Sequence, residues 1–95
     1  MATTVGLLHV EFRVAQAASL KDKRRQVKSF KDRVSHRFNV SVAEVDGLDD
    51  RRRAVIAVAM VGSDKRYIEG ALQQIANAAA AHRDLILLDC HTEWL

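Results

Sequence analysis

The chain has no proline, one cysteine and four glycines among its 95 residues. Each scarcity excludes something. With no proline and the glycines scattered, no stretch reads as an interdomain linker. A chain of this length holds one hydrophobic core, not two. The lone thiol, Cys90, cannot form an internal disulfide and fits a reducing compartment. Long apolar runs are also missing. The longest uncharged apolar stretch, Ala54–Gly62, falls far short of the ~20 residues a membrane-spanning helix needs. The opening MATTVGLLHVEF lacks the basic segment and apolar run of a secretory signal, so the expected location is the cytoplasm. There is no glycine-rich phosphate loop, no Ser-His-Asp arrangement and no CxxC pair. On motifs alone neither a catalytic residue nor a cofactor is expected, and a binding module is a better expectation than an enzyme.

What is present is a patterned, apolar-rich chain, 48% hydrophobic. A domain of this size buries only about 60–65% of its unfolded surface, so self-association is a natural way to bury more. Val5–Val14 alternates as a half-buried strand, with Gly6, Leu8, Val10, Phe12 and Val14 on one face and Leu7, His9, Glu11 and Arg13 on the other. Ser19 is suited to cap a helix running to about Arg37, whose apolar positions Leu20, Val27, Phe30 and Val34 share a face. Asn39–Asp46 alternates again, residues 46–50 form a turn, and Arg51–Val61 is a strand apolar on both faces, hence central. Ser63 or Asp64 caps a second helix to about His82, with Ile68, Ala71, Leu72, Ile75, Ala76 and Ala79 in a 3.6-residue period. Leu85–Trp94 is the last strand, with Ile86, Leu88, Cys90 and Trp94 expected toward the helices. The order βαββαβ predicts an α+β, ferredoxin-like split-βαβ sandwich over residues 1–95. Two helices should cover one face of a four-stranded antiparallel sheet, with the first and third strands central.

Two runs resemble the YlxP-like family, a small bacterial family of unknown function. They are Ser19-Leu20-Lys21-Asp22-Lys23-Arg24-Arg25 with the Lys28–Arg33 segment behind it, and Arg37-Phe38-Asn39-Val40-Ser41-Val42-Ala43-Glu44-Val45. The later strand and helix starts match as well, so the resemblance spans essentially the whole chain. It implies a ferredoxin-like fold, a cytoplasmic location and, because genes of this family often neighbour translation and ribosome-maturation genes, a ribosome-linked role. It carries over no activity and no catalytic residue. The last strand departs from the family's pattern in running Cys90-His91-Thr92-Glu93-Trp94.

The formal charge is +3, but residues 21–37 hold eight Lys or Arg against two Asp, a local +6 that leaves −3 for the remainder. At 100° per residue from Leu20, the apolar face spans roughly 280–360°, Arg24 and Lys31 fall at about 20–40°, and Lys28, Lys21 and Arg25 at about 80–140°. Lys21, Arg24, Arg25, Lys28 and Lys31 thus form one stripe beside the buried face. Such a stripe can follow the phosphates of structured RNA, or be a solvated helix face with local ion pairs. The open-face positions His9, Glu11, Ala57 and Ala59 offer no aromatic, so base stacking of the RNA-recognition type is not expected.

The open sheet face is the other candidate. Val55, Ala57, Ala59 and Val61 should make an uncovered apolar strip, and homo-oligomerisation through it is expected. Beside it, His9 and Glu11 should face His91 and Glu93. These four can hold a divalent metal if the register converges them, or simply pair across strands. Cys90 is expected to be a buried inert thiol and Trp94 an anchor for the last strand. His36 and His82 end helices, where a cation suits the dipole.

Overall fold

The computed structural model describes residues 2–95. The elements are β1 (Thr4–Val14), α1 (Leu20–Arg37), β2 (Ser41–Asp46), β3 (Arg53–Gly62), α2 (Lys65–Ala81) and β4 (Leu85–Trp94). The strands form one antiparallel sheet in the order β2-β3-β1-β4, so the two strands with the strongest apolar alternation are central. Leu8, Val10, Phe12 and Val14 of β1 and Ala54, Ile56, Val58 and Met60 of β3 meet Val27, Phe30 and Val34 of α1 and the Ile68–Ala79 face of α2 in a single core. At roughly 1.5–3 kcal/mol per large buried side chain, this core is the main stabilising term. Phe12 and Phe30 lock α1 to the sheet edge-on, with ring centroids 5.2 Å apart.

Local chemistry sets the ends. The Ser19 hydroxyl accepts from the Asp22 N–H, while the Asp22 carboxylate accepts from the Ala18 N–H, a reciprocal cap at the start of α1. Asp64, not Ser63, caps α2, accepting from the Arg66 and Tyr67 N–H groups. Gly6 lets α2 close on the sheet: a Cβ there would lie 2.8 Å from Leu72 Cδ1 and 3.0 Å from the Trp94 ring. Trp94 anchors β4 as expected, packing on the core with Lys65 Nζ 4.8 Å from its ring centroid.

Two bulges correct the expected facing of the edge strands. In β4 the pairing skips Leu88, so Phe12 opposes Leu87 and Glu11 opposes Asp89. Leu85 and Leu87 therefore pack inward, while Ile86 and Leu88, expected toward the helices, are exposed. In β2 the pairing skips Val45, so Glu44 faces the helices with Ile56, and Asp46 faces outward with Val55.

The second bulge completes a feature the spacing conceals. Lys23, at 0% exposure, lies within the apolar face of α1. Its Nζ donates to the carbonyl oxygens of Gly47 and of Asp50 (2.7 Å). It also stands 2.9 Å from the buried Glu44 Oε2, as an ion pair without hydrogen-bond alignment. Gly47 has φ +73°, and a Cβ there would sit 3.0 Å from the Arg53 carbonyl oxygen. The turn that presents these carbonyls thus needs glycine. Truncating Lys23 would leave a buried carboxylate and two carbonyls without a cation. The variant Lys23→Met is expected to lose about 3 kcal/mol in urea unfolding, and Lys23→Met/Glu44→Leu to regain part of it. An unchanged midpoint in the single variant would refute this role.

Candidate functional site

The helix layer displays the basic stripe. Lys21, Arg24, Arg25 and Lys28 are exposed on α1, and Lys31 is half-buried beside them. Two of the five have local partners. Lys28 pairs with Asp32 at 2.6 Å, holding that carboxyl below its usual range, and Arg25 lies 3.9 Å from Asp22. These are exposed i,i+3 and i,i+4 pairs, which a multivalent anion can displace because each is worth little in water. The structure adds cations the spacing did not join to the stripe. Arg13, Arg51 and Arg52 surround a depression of about 260 Å³ at the sheet end where the β2–β3 turn meets β1. Arg37 and Arg66 line a larger groove of about 390 Å³ between the two helices, with Phe38, Tyr67 and Gln74. Tyr67, 68% exposed, is the one strongly exposed aromatic in that groove. It lies on α2, outside the α1 stripe.

The opposite face of the sheet is bare. Val55, Ala57 and Ala59 are half-buried and Val61 is 66% exposed. They are flanked by Leu7 and Val5, their register partners on β1 being Val5 for Val61 and Leu7 for Ala59. Next to this strip lies a charged one. Arg53 Nε donates to Glu11 at 2.6 Å, and Arg53 Nη2 to Asp46 at 3.3 Å. Both contacts raise the guanidinium's proton affinity. The Gly47 N–H, then Arg53, hold the Asp46 carboxyl low. Glu11 is consequently engaged by Arg53, and this corrects its expected place among candidate metal ligands.

The other three of that set do converge. His9 opposes His91 in register. Their rings stack with centroids 4.9 Å apart and planes 18° off parallel. One ligand atom from each of His9, His91 and Glu93 lies within 4.8 Å of the others.

The profile of the family described as "Protein of unknown function (DUF503)" matches residues 5–92. The chain belongs to this family. It is 30% identical over 90 residues to the uncharacterized protein YlxP of Bacillus subtilis, covering 95% of this chain and 98% of that one. Among solved structures, a dimeric ferredoxin-like protein of unknown function from Thermobifida fusca aligns with TM-score 0.55 at 14% identity, covering 100% of this chain and 92% of that one. The de novo designed protein Foldit4 aligns with TM-score 0.56 at 14% identity, covering 98% and 96%. At these identities the two structures show the ferredoxin-like fold and nothing more.

Within this DUF503 domain Cys90 is partly exposed, not fully buried as expected. Partial burial, with Asp89 nearby, pushes its thiol up, which disfavours the thiolate at neutral pH. His82 differs from the expected helix-end cation. It is buried against Phe30 (6.0 Å between centroids), and its Nδ1 accepts from the Asp84 N–H at 3.4 Å, as a neutral imidazole must. Burial first, then Arg33, lowers its pKa. A folded pKa below the unfolded value of about 6.5 means that the unfolded chain takes up the proton first. This contribution is therefore intact above pH ~6.5 and is lost as pH falls toward the folded pKa. Unfolding by urea is expected to show stability declining below that pH, with a shallower decline in His82→Phe. Equal slopes would exclude His82 as the cause.

Proposed function

We propose that this domain is a cytoplasmic binding module, without chemistry of its own, that contacts structured RNA such as that of the ribosome through α1. The observation that supports this most is the exposure of Lys21, Arg24, Arg25 and Lys28 along one side of a helix fixed to the fold by its own buried lysine. Contacts of this kind go to phosphates and position the protein without reading bases. The Arg13-Arg51-Arg52 depression and the Arg37-Arg66 groove give a folded RNA further phosphate contacts on the same molecule. About four phosphate contacts imply an affinity falling roughly a hundredfold between 50 and 200 mM salt. Binding to purified ribosomal subunits and to bare structured RNA across that salt range is expected to fall this steeply. It is expected to vanish in Lys21→Glu/Arg25→Glu/Lys28→Glu, a triple variant confirmed to be folded. No binding by the wild type at low salt would end this reading.

The open sheet supports a second reading, self-association. Four strands at about 4.8 Å spacing and about ten residues at 3.3 Å give a face of roughly 600 Å². That approaches the ~800 Å² per partner of a standard interface. The Val5-Leu7-Ala59-Val61 strip supplies its apolar centre. The Thermobifida fusca protein of the same fold is described as dimeric. The two readings use opposite faces and are compatible. Light scattering after size exclusion is expected to give twice the chain mass, and Ala59→Glu the mass of one chain, with RNA binding per chain retained. A wild type that is monomeric at every concentration would dispose of the second reading alone.

A further inference from the structure

His91 and Glu93 are two residues apart on β4, hence on one face, and His9 lies directly across from His91 on β1. Three metal-ligating side chains are thereby brought together by strand register alone. Their arrangement has a direction. His91 Nε2 faces Glu93 Oε1 at 3.8 Å, while His91 Nδ1 faces Asp89 Oδ2 at 4.0 Å. Two ligands of one tetrahedral ion, each about 2.0–2.1 Å from it, stand roughly 3.4 Å apart. The His91–Glu93 separation is therefore close to that of a shared cation, and Asp89, though beyond hydrogen-bond reach at 4.0 Å, lies on the side of the ring's other nitrogen, from which a carboxylate can swing in to orient a ligating imidazole. His9 Nδ1 supplies a separate observation: it is buried and has no hydrogen-bond partner among the described residues. An imidazole nitrogen shielded from water and unpaired is costly to bury. A small rotation of the stacked ring, with a cation as partner, would satisfy it.

We propose that His9, His91 and Glu93 form a binding site for a divalent transition cation of the zinc class, with Asp89 as the positioning residue. Two imidazoles and a single carboxylate select against calcium and magnesium, which prefer oxygen donors. Three protein ligands leave a coordination position open to water. Glu11 takes no part, because Arg53 holds it. The site lies within one chain and needs neither RNA binding nor self-association.

The test uses the full chain without an affinity tag, stripped of metal by chelation. Calorimetric titration with zinc chloride is expected to give one ion per chain. Cobalt chloride is expected to produce the intense visible bands of a four-coordinate nitrogen–oxygen site. Zinc should raise the melting temperature, while magnesium and calcium leave it unchanged. His91→Ala, at an exposed edge-strand position, should stay folded and lose the ion, and His9→Ala should lose it too. Asp89→Asn should weaken binding about tenfold or more while keeping the stoichiometry. Absence of zinc binding by the wild type at 100-fold excess would overturn the proposal. So would binding that persists unchanged in His91→Ala, which would assign the ion to other groups.

Discussion

The buried ammonium of Lys23 is the constraint on which the rest of the molecule depends. A charge with no access to water is tolerable only where its surroundings replace its hydration. Here two carbonyls of the β2–β3 turn and the Glu44 carboxylate do so. The same contact ties the first turn of α1 to a turn some two dozen residues away in sequence. It thereby sets the rotation of α1 about its own axis. The hydrophobic face alone leaves that rotation loosely defined, since a cluster of Val27, Phe30 and Val34 can pack over a range of angles. A polar anchor with two directional carbonyl partners and a carboxylate beside it cannot. The outward direction of Lys21, Arg24, Arg25 and Lys28 follows from it.

The edge strands carry the second organising device. Each has one extra residue, Val45 in β2 and Leu88 in β4. Strict alternation would put Glu44 and Asp46 on the same face. The bulge separates them, sending Glu44 inward to Lys23 and Asp46 outward to Arg53. In β4 the bulge likewise lets Leu85 and Leu87 serve the core while Asp89, His91 and Glu93 all face outward. One inserted residue per edge thus lets a strand supply both a buried face and a polar outer face, and also makes the exposed edge less regular for pairing with another chain.

These devices explain what the sequence made legible. Element order, central strands and the core of both helices follow from periodicity, because the pleat and the helical repeat act on every residue. So does the Ser19 cap. The bulges do not, since alternation is unchanged on either side of them and only the partner strand reveals the slip. That is why Leu87 was expected outside and Leu88 inside. Lys23 left a trace that was available: at about 300° it lies amid the apolar arc, between Phe30 and Val27. A lysine at such an angle signals a buried anchor, whereas one beside the arc signals surface. His82 was misread for a related reason, since a helix-end position predicts a cation only where water reaches it. The convergence of His9 with His91 and Glu93, and the separate fate of Glu11, depended on register and on the position of Arg53.

Charge distribution bears on how the two proposed surfaces could coexist. With +6 on the α1 segment and −3 elsewhere, charge alone would favour a helix face of one molecule stacking on the sheet face of the next. Such a head-to-tail contact does not close and builds open filaments. The open face, however, is not a free acidic surface. Arg53 engages Glu11 and Asp46, and His91 stands between Asp89 and Glu93. With Glu11 and Asp46 held by Arg53, that face has less net pull on a basic helix. Its strip from Val55 to Val61 is apolar and half-buried to exposed. The proposed association through it would be isologous and close at two copies, leaving both α1 helices outward and their cations available to a polyanion.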